Sequence, residues 1–153
     1  MSLEAVKEYF AQYDLEHRVV TLSDSTATVE EAAQAHNVEP DQIAKTLSFR
    51  LNEQPILVVV AGNSKIDNQK YKGQFYKKAK MLKPDEVEAE TGHVIGGVCP
   101  FGLKNEMNVY LDVSLKKYAE VIPAAGDPYS AIRLSLLELE QYSNYKAWVD
   151  VCK

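Results

Sequence analysis

Two stretches of this chain carry residue types suited to chemistry. The first is a loop: Gly96-Gly97-Val98-Cys99-Pro100-Phe101-Gly102 holds three glycines and a proline in seven residues. Glycine permits positive φ and lets another group approach bare backbone. Proline fixes its own φ and biases its predecessor towards extended geometry. A stiff loop of this kind can aim its amide N–H groups one way, as a site for a carbonyl, carboxylate or phosphate oxygen requires. The same composition also suits a tight connection between packed elements. The second stretch is Ile43-Ala44-Lys45-Thr46-Leu47, with one lysine among apolar neighbours at the head of a strand. Such a lysine either snorkels to solvent or serves as a cation beside a buried oxygen-binding site.

The remaining reactive side chains offer less. His17, His36 and His93 have no ligand partner at helical spacing, and Cys99 and Cys152 lack metal-like spacing, so no metal site is expected. His93 lies three residues before the glycine loop and could reach it, or could equally be a surface or capping residue. Cys99 has no activating base in view and reads as a small packed side chain. The chain has no Gly-x-Ser-x-Gly elbow, P-loop or dinucleotide fingerprint.

The elements that must position these residues follow from local pattern. Ser2 can cap a first helix carrying Leu3, Val6, Phe10 and Tyr13 as one stripe and ending near Asp14. Arg18 to Leu22 reads as a short strand, followed by a polar turn from Ser23 to Ala27. Thr28 and Glu31 form a capping box for a helix over Val29 to His36. A helical turn follows from Pro40 to about Ala44. Lys45–Leu51 and Pro55–Ala61 read as a hairpin, with Ile56 to Val60 aliphatic enough for burial on both faces. Further helices are expected over Asp67 to Lys72 and from Pro84 to Gly92. Further strands are expected over Lys80–Leu82, Met107–Asp112, Glu120–Ala125 and Ala131–Leu134, with a turn of helix near Ser114 to Lys117. Ser135 and Glu138 make a second capping box, and Asn144 to Lys153 reads as a tail in which Trp148 docks. Irregular alternation with a hairpin points to a mixed α/β (α+β) fold, with helices around a mixed sheet.

At 153 residues, 46% hydrophobic and 25% charged, the chain is expected to be one soluble domain over residues 1–153. No apolar run is long enough to span a bilayer. Met1 to Phe10 alternates charged and apolar residues, unlike a signal peptide. The cysteine usage fits a reducing cytoplasm. The net charge of −5 is unevenly spread: Lys65 to Lys83 contains seven lysines and one acid, a net +6. This stripe is either a phosphate-binding face or a solvated helix and loop.

Taken together, four segments resemble the YbaK-like family, which includes the editing domain inserted in bacterial prolyl-tRNA synthetases and its free-standing relatives. They are Ile43-Ala44-Lys45-Thr46-Leu47, Gly96 to Gly102, Val109-Tyr110-Leu111-Asp112 and Ala124-Ala125-Gly126, within a match from about Thr28 to Leu139. The resemblance implies a single domain with a mixed, largely antiparallel, barrel-like sheet surrounded by short helices. It implies hydrolysis of a mischarged aminoacyl-tRNA, usually tRNA(Pro), in the cytoplasm, with no cofactor and with a synthetase as a transient partner. Lys45 matches the family's essential lysine and Gly96 the first glycine of its site loop. Thr46, Gly97, Val98, Cys99, Pro100, Phe101, Gly102, Gly126 and Ser130 would border the substrate. Lys65, Lys72, Lys77, Lys78 and Lys80 would seat the RNA. Cys99 stands where relatives often carry serine, and no histidine follows Gly126, where some alanine-specific relatives carry one. The alternative is a binding module on the same scaffold that recognises a tRNA end or aminoacyl-like ligand without turnover. A third reading is a hydrolase of small esters or amides.

Overall fold

Apolar runs and capping signals divide the chain into strands β1 (Val19–Thr21), β2 (Ile43–Leu51), β3 (Gln54–Ala61), β4 (Asn108–Asp112), β5 (Glu120–Pro123), β6 (Ser130–Ile132), β7 (Leu134–Ser135) and β8 (Ala147–Val149). The helices are α1 (Ser2–Ala11), α2 (Val29–His36), α3 (Asn68–Phe75), α4 (Pro84–Thr91) and α5 (Leu136–Ser143). The computed structural model describes residues 2–153.

The frame is the β2–β3 hairpin, in continuous antiparallel register from Ala44↔Ala61 to Leu51↔Gln54. Asn52 and Glu53 join its strands at φ 51° and 70°. That is the geometry of a type I′ turn, whose twist matches paired strands. Ile56 to Val60 are at most 2% exposed, so β3 is covered on both faces. The main sheet runs β7-β5-β2-β3-β4-β8. It is mixed, as expected, but antiparallel pairing is confined to β2–β3 and β5–β7, while β2–β5, β3–β4 and β4–β8 are parallel. β1 and β6 form a second, antiparallel pair, tied to the end of β5 through an Ala124↔Ala131 bridge. This succession supplies the barrel-like curl.

The helices seal both faces. Phe10 of α1 and Leu139 of α5 pack with Phe101, Leu57 and Leu111 on one side. Tyr71 and Phe75 of α3 pack with Phe49, Val58 and Tyr110 on the other. A smaller cluster sets Ala32 and Ala33 of α2 against Ile43, Ile122 and Ala131. Both capping boxes form: Thr28 with Glu31, and Ser135 with Glu138.

Three local expectations change. Ser2 is inside α1, and its hydroxyl donates to the Gly126 carbonyl instead of capping. Lys80–Leu82 is not a strand of its own. Met81 bridges Phe49, Arg50 N donates to Lys80 O at 2.8 Å and Leu82 N to Ser48 O at 3.1 Å, so the segment only lines the edge of β2. The tail contains an edge strand, β8, because β4 leaves a free side where Trp148 pairs with Leu111.

Candidate active site

The outer edge of β2 is split. Ile43 and Ala44 pair with β5, and Ser48 and Arg50 bond the Lys80–Leu82 segment. Lys45, Thr46 and Leu47 between them have no partner strand on that side. Strand alternation turns the N–H and C=O of Thr46 to the same edge as those of Ser48 and Arg50, into the gap. A cavity of about 300 Å³ opens there. Its floor is β2. Its walls are Thr26 to Val29 before and at the start of α2, Ile122 of β5 and Ala124 just after it, Ser130 and Ala131 of β6, Met81, Leu82 and Pro84, and Gly96 with Val98 of the glycine loop.

Among the described residues, Lys45 is the only ionisable side chain lining this cavity. It is half-buried, and among the described residues it makes no ion pair. Burial pushes its pKa below the ordinary lysine value, reinforced by the Lys65 charge and opposed by Cys152 and, more weakly, by Asp41. Asp41 is itself engaged, accepting from Asn63 N at 2.9 Å and Lys117 Nζ at 2.8 Å. A partly desolvated cation outside any ion pair favours an incoming anionic or carbonyl oxygen. The Thr46 hydroxyl is likewise buried without a partner, whereas the Ser130 hydroxyl is shared with Thr21 at 2.8 Å and the Thr26 hydroxyl donates to Pro128 O at 2.9 Å.

The loop is fixed from both ends. α4 stops at Gly92, which adopts φ 79°. Thr91 Oγ1 then accepts the His93 amide at 3.0 Å. His93 is fully buried, not a surface residue, and its Nε2 lies 2.7 Å from Phe101 O. A carbonyl there can only accept, so Nε2 carries the proton. Burial holds the His93 pKa below its ordinary value, a shift the Phe101 hydrogen bond opposes. Gly97 N donates to Val94 O at 3.0 Å, and Gly97 O accepts from Gly126 N at 2.9 Å. The Gly97 amide is therefore spent. Among the described residues the Gly96 and Val98 amides find no backbone acceptor.

Of the residues expected at the site, Lys45, Thr46, Gly96, Val98 and Ser130 come together around the cavity. The others lie elsewhere. Cys99 and Phe101 are fully buried in the core with Phe10, Leu57 and Val59. Pro100 borders a separate groove beside Tyr142 and Asn144. Gly102 presses on Ala5 of α1, and Gly126 on Ser2 and Leu3. Gly97 backs onto Gly126 and Asp127. The loop thus presents its first part to the cavity and inserts its second part into the protein. Lys65, Lys72, Lys77, Lys78 and Lys80 are all exposed, and Lys80 adjoins Met81 and Leu82 on the cavity rim. Lys70 instead binds Asp150 and Cys152 O. Sequence reasoning missed Thr26 to Val29 as a cavity wall, although an unusually polar run directly before a capping box marked the place. It also missed Met81 and Ile95, which stand 56% and 58% exposed at the rim.

A curled mixed sheet, split at one strand, thus sets Lys45 and the first part of the glycine loop around one cavity. Among the described residues the cavity lining holds no nucleophile–base pair. The aminoacyl-tRNA editing domain model matches residues 23–142, and the chain belongs to that family. Over its whole length the chain is 51% identical to the uncharacterised protein YwhH of Bacillus subtilis, spanning 98% of it. It is 32% identical to EbsC of Enterococcus faecalis, named as a candidate Cys-tRNA(Pro)/Cys-tRNA(Cys) deacylase, over 74% of this chain and 70% of that one. A crystal structure described as a candidate trans-editing enzyme for prolyl-tRNA synthetase superposes with TM-score 0.89 at 33% identity, covering 99% of this chain and 97% of the other. The resemblance and the mixed α/β fold expected from it hold. No helix among the described residues is long and apolar enough to cross a membrane.

Proposed function

We propose that residues 1–153 act as one trans-editing domain that hydrolyses the ester of mischarged aminoacyl-tRNA in the cytoplasm, with tRNA(Pro) carrying a small non-cognate amino acid as substrate. The observation that carries this reading is the half-buried, unpaired Lys45 in a small cavity beside Gly96. An aminoacyl ester is already activated, so water can attack without a protein nucleophile. The water oxygen bonds to the carbonyl carbon, the bond to the ribose oxygen breaks, and that oxygen leaves with a proton as the terminal hydroxyl. The loop amides of Gly96 and Val98 favour the developing oxyanion. Lys45 holds negative charge, on that oxyanion or on the terminal phosphate. Thr46 and Ser130 border the amino acid. The cavity has no carboxylate for a basic side chain and about 300 Å³ of space, which favours a small neutral amino acid. Lys65, Lys72, Lys77, Lys78 and Lys80 seat the RNA, and a synthetase is a transient partner.

The test is deacylation of tRNA(Pro) charged with alanine, cysteine, serine, threonine or 2-aminobutyrate, by wild type and Lys45→Ala. Rapid loss of one ester, abolished in the variant, is the expected result and names the substrate. Equal turnover by both proteins would remove Lys45 from the mechanism. A fall in kcat alone assigns it to the oxyanion, and a rise in KM alone to the phosphate. No turnover by wild type, with salt-dependent RNA binding retained, would make the protein a binding module.

A further inference from the structure

Four helices of this chain end in a left-handed residue. α2 uses Asn37, α4 Gly92 and α5 Asn144, the residue types that tolerate this geometry. α3 uses Tyr76, at φ 64°, with its N–H donating to Lys72 O at 2.7 Å. A side chain with a bulky ring is disfavoured there. Nor is the ring packed. Tyr71 and Phe75 of the same helix turn inward to stack on Phe49 and Tyr110. Tyr76 is 83% exposed, the most exposed large apolar residue among those described. Fold stability therefore gives no reason for a tyrosine at this cap.

Its surroundings give one. Lys72, Lys77 and Lys78 are exposed around it, and among the described residues none of the three is in an ion pair. Tyr76 lies five positions before Met81 on the cavity rim, so the two Cα atoms are at most about 18 Å apart. Stacked nucleotides rise about 3.4 Å each along one strand. Tyr76 thus lies within the reach of roughly five stacked nucleotides from the cavity rim. An exposed aromatic ring flanked by unpaired cations is the arrangement that binds single-stranded nucleic acid, the ring taking a base face and the cations the phosphates.

We propose that Tyr76 is a stacking platform for an unpaired base near the 3′ end of the RNA that delivers the ester to the cavity, a reading that rests on the proposed function. Lys77 and Lys78 hold the adjoining phosphates. The ring contributes sequence-tolerant affinity, and the cations contribute the salt dependence.

The experiment measures binding of an uncharged RNA hairpin with an acceptor-type stem and unpaired 3′ nucleotides, across a salt series. Tyr76→Ala is expected to weaken binding about 5- to 150-fold with the salt slope unchanged, whereas Tyr76→Phe and Tyr76→Trp stay near wild type. The Lys77→Ala/Lys78→Ala variant is expected to flatten the slope. Tyr76→Gly separates ligand binding from a structural role: it should weaken RNA binding as Tyr76→Ala does while raising Tm by about 2–4 °C, because glycine relieves the left-handed cap. Wild-type binding with an unchanged constant in Tyr76→Ala would overturn the platform and leave the editing function standing. A wild type that ignores the hairpin would overturn the platform, while deacylation of charged tRNA(Pro) decides the editing function separately. Tyr76-dependent sedimentation with anionic phospholipid vesicles in place of RNA binding would also overturn the platform.

Discussion

A methyl group at Gly97 tests whether the close approach of two loops sets the cavity. A Cβ built there stands 2.5 Å from Asp127 Cα and closer still to Asp127 N and Gly126 C. All three are backbone atoms and cannot swing aside. Ordinary carbon contacts need about 3.5–4.0 Å, so the glycine loop and the Gly126–Ser130 turn must part by roughly 1 Å. Overpacking of this kind costs about 1–3 kcal/mol. The bond from Gly126 N to Gly97 O, 2.9 Å long, is worth about 1 kcal/mol more if it opens. Gly97→Ala is therefore expected to lose about 2–4 kcal/mol, lowering Tm by roughly 5–15 °C. Gly96 and Val98 would move relative to Ser130 across the cavity, and a 1 Å misplacement costs about 100-fold in turnover. Gly73 supplies the control. It lies inside α3 with nothing within 4 Å of an added Cβ, so Gly73→Ala should gain about 0.5–1 kcal/mol from helix propensity alone. Differential scanning calorimetry and deacylation kinetics on both variants read out the contrast. Wild-type Tm and turnover in Gly97→Ala would refute the claim that loop contact shapes the site.

Three further outcomes follow from geometry already described. Glu53 occupies the second left-handed position of the β2–β3 turn, so Glu53→Gly should raise Tm by about 1–4 °C in calorimetry. The Arg18 guanidinium, 2.6 Å from Glu138, holds that carboxyl down to about 2. A folded pKa below the unfolded one stabilises at neutral pH and is lost as pH falls through the acid range. Glu138→Gln, discounted for partial exposure, should thus cost about 1–2 kcal/mol near pH 7 and almost nothing near pH 2; a Tm gap that widens in acid would contradict this. Burial pushes the Cys99 and Cys152 thiols up to about 12, so both should resist a thiol reagent until denaturant is added. Fast labelling of either native thiol would show that its site opens.

What the sequence made legible was local. Thr28, Glu31 and Asn37 bound α2 because capping is an exchange of hydrogen bonds within a few residues. Ile56 to Val60 announced a doubly covered strand because only burial suits five aliphatics in a row. Lys45 and Gly96 were paired by family resemblance, since nothing in spacing alone brings together residues so far apart. Illegible features depended on distant partners. β8 is three residues long and exists because β4 offers an edge. His93 looked like a surface residue because its buried hydrogen bond is made to a carbonyl eight residues away. The loop composition could not show that Cys99 and Phe101 dive into the core while Gly96 and Val98 face the cavity. That division is set by α1, whose Val6 and Phe10 form the wall they meet.

The central hairpin carries a consequence for how the chain reaches its fold. β2 and β3 are adjacent in sequence and can pair early, but every other partner in the main sheet comes from beyond residue 107. During synthesis the aliphatic β3 stands with an open edge until β4 emerges, and β4 waits in turn for β8 near residue 147. An exposed apolar edge is the template for association between nascent chains. Completion of the sheet is thus a late event, governed by contacts of long sequence separation, which makes folding slow relative to helical proteins of this size. The hairpin can therefore stand complete while the sheet around it is still missing its neighbours on both sides.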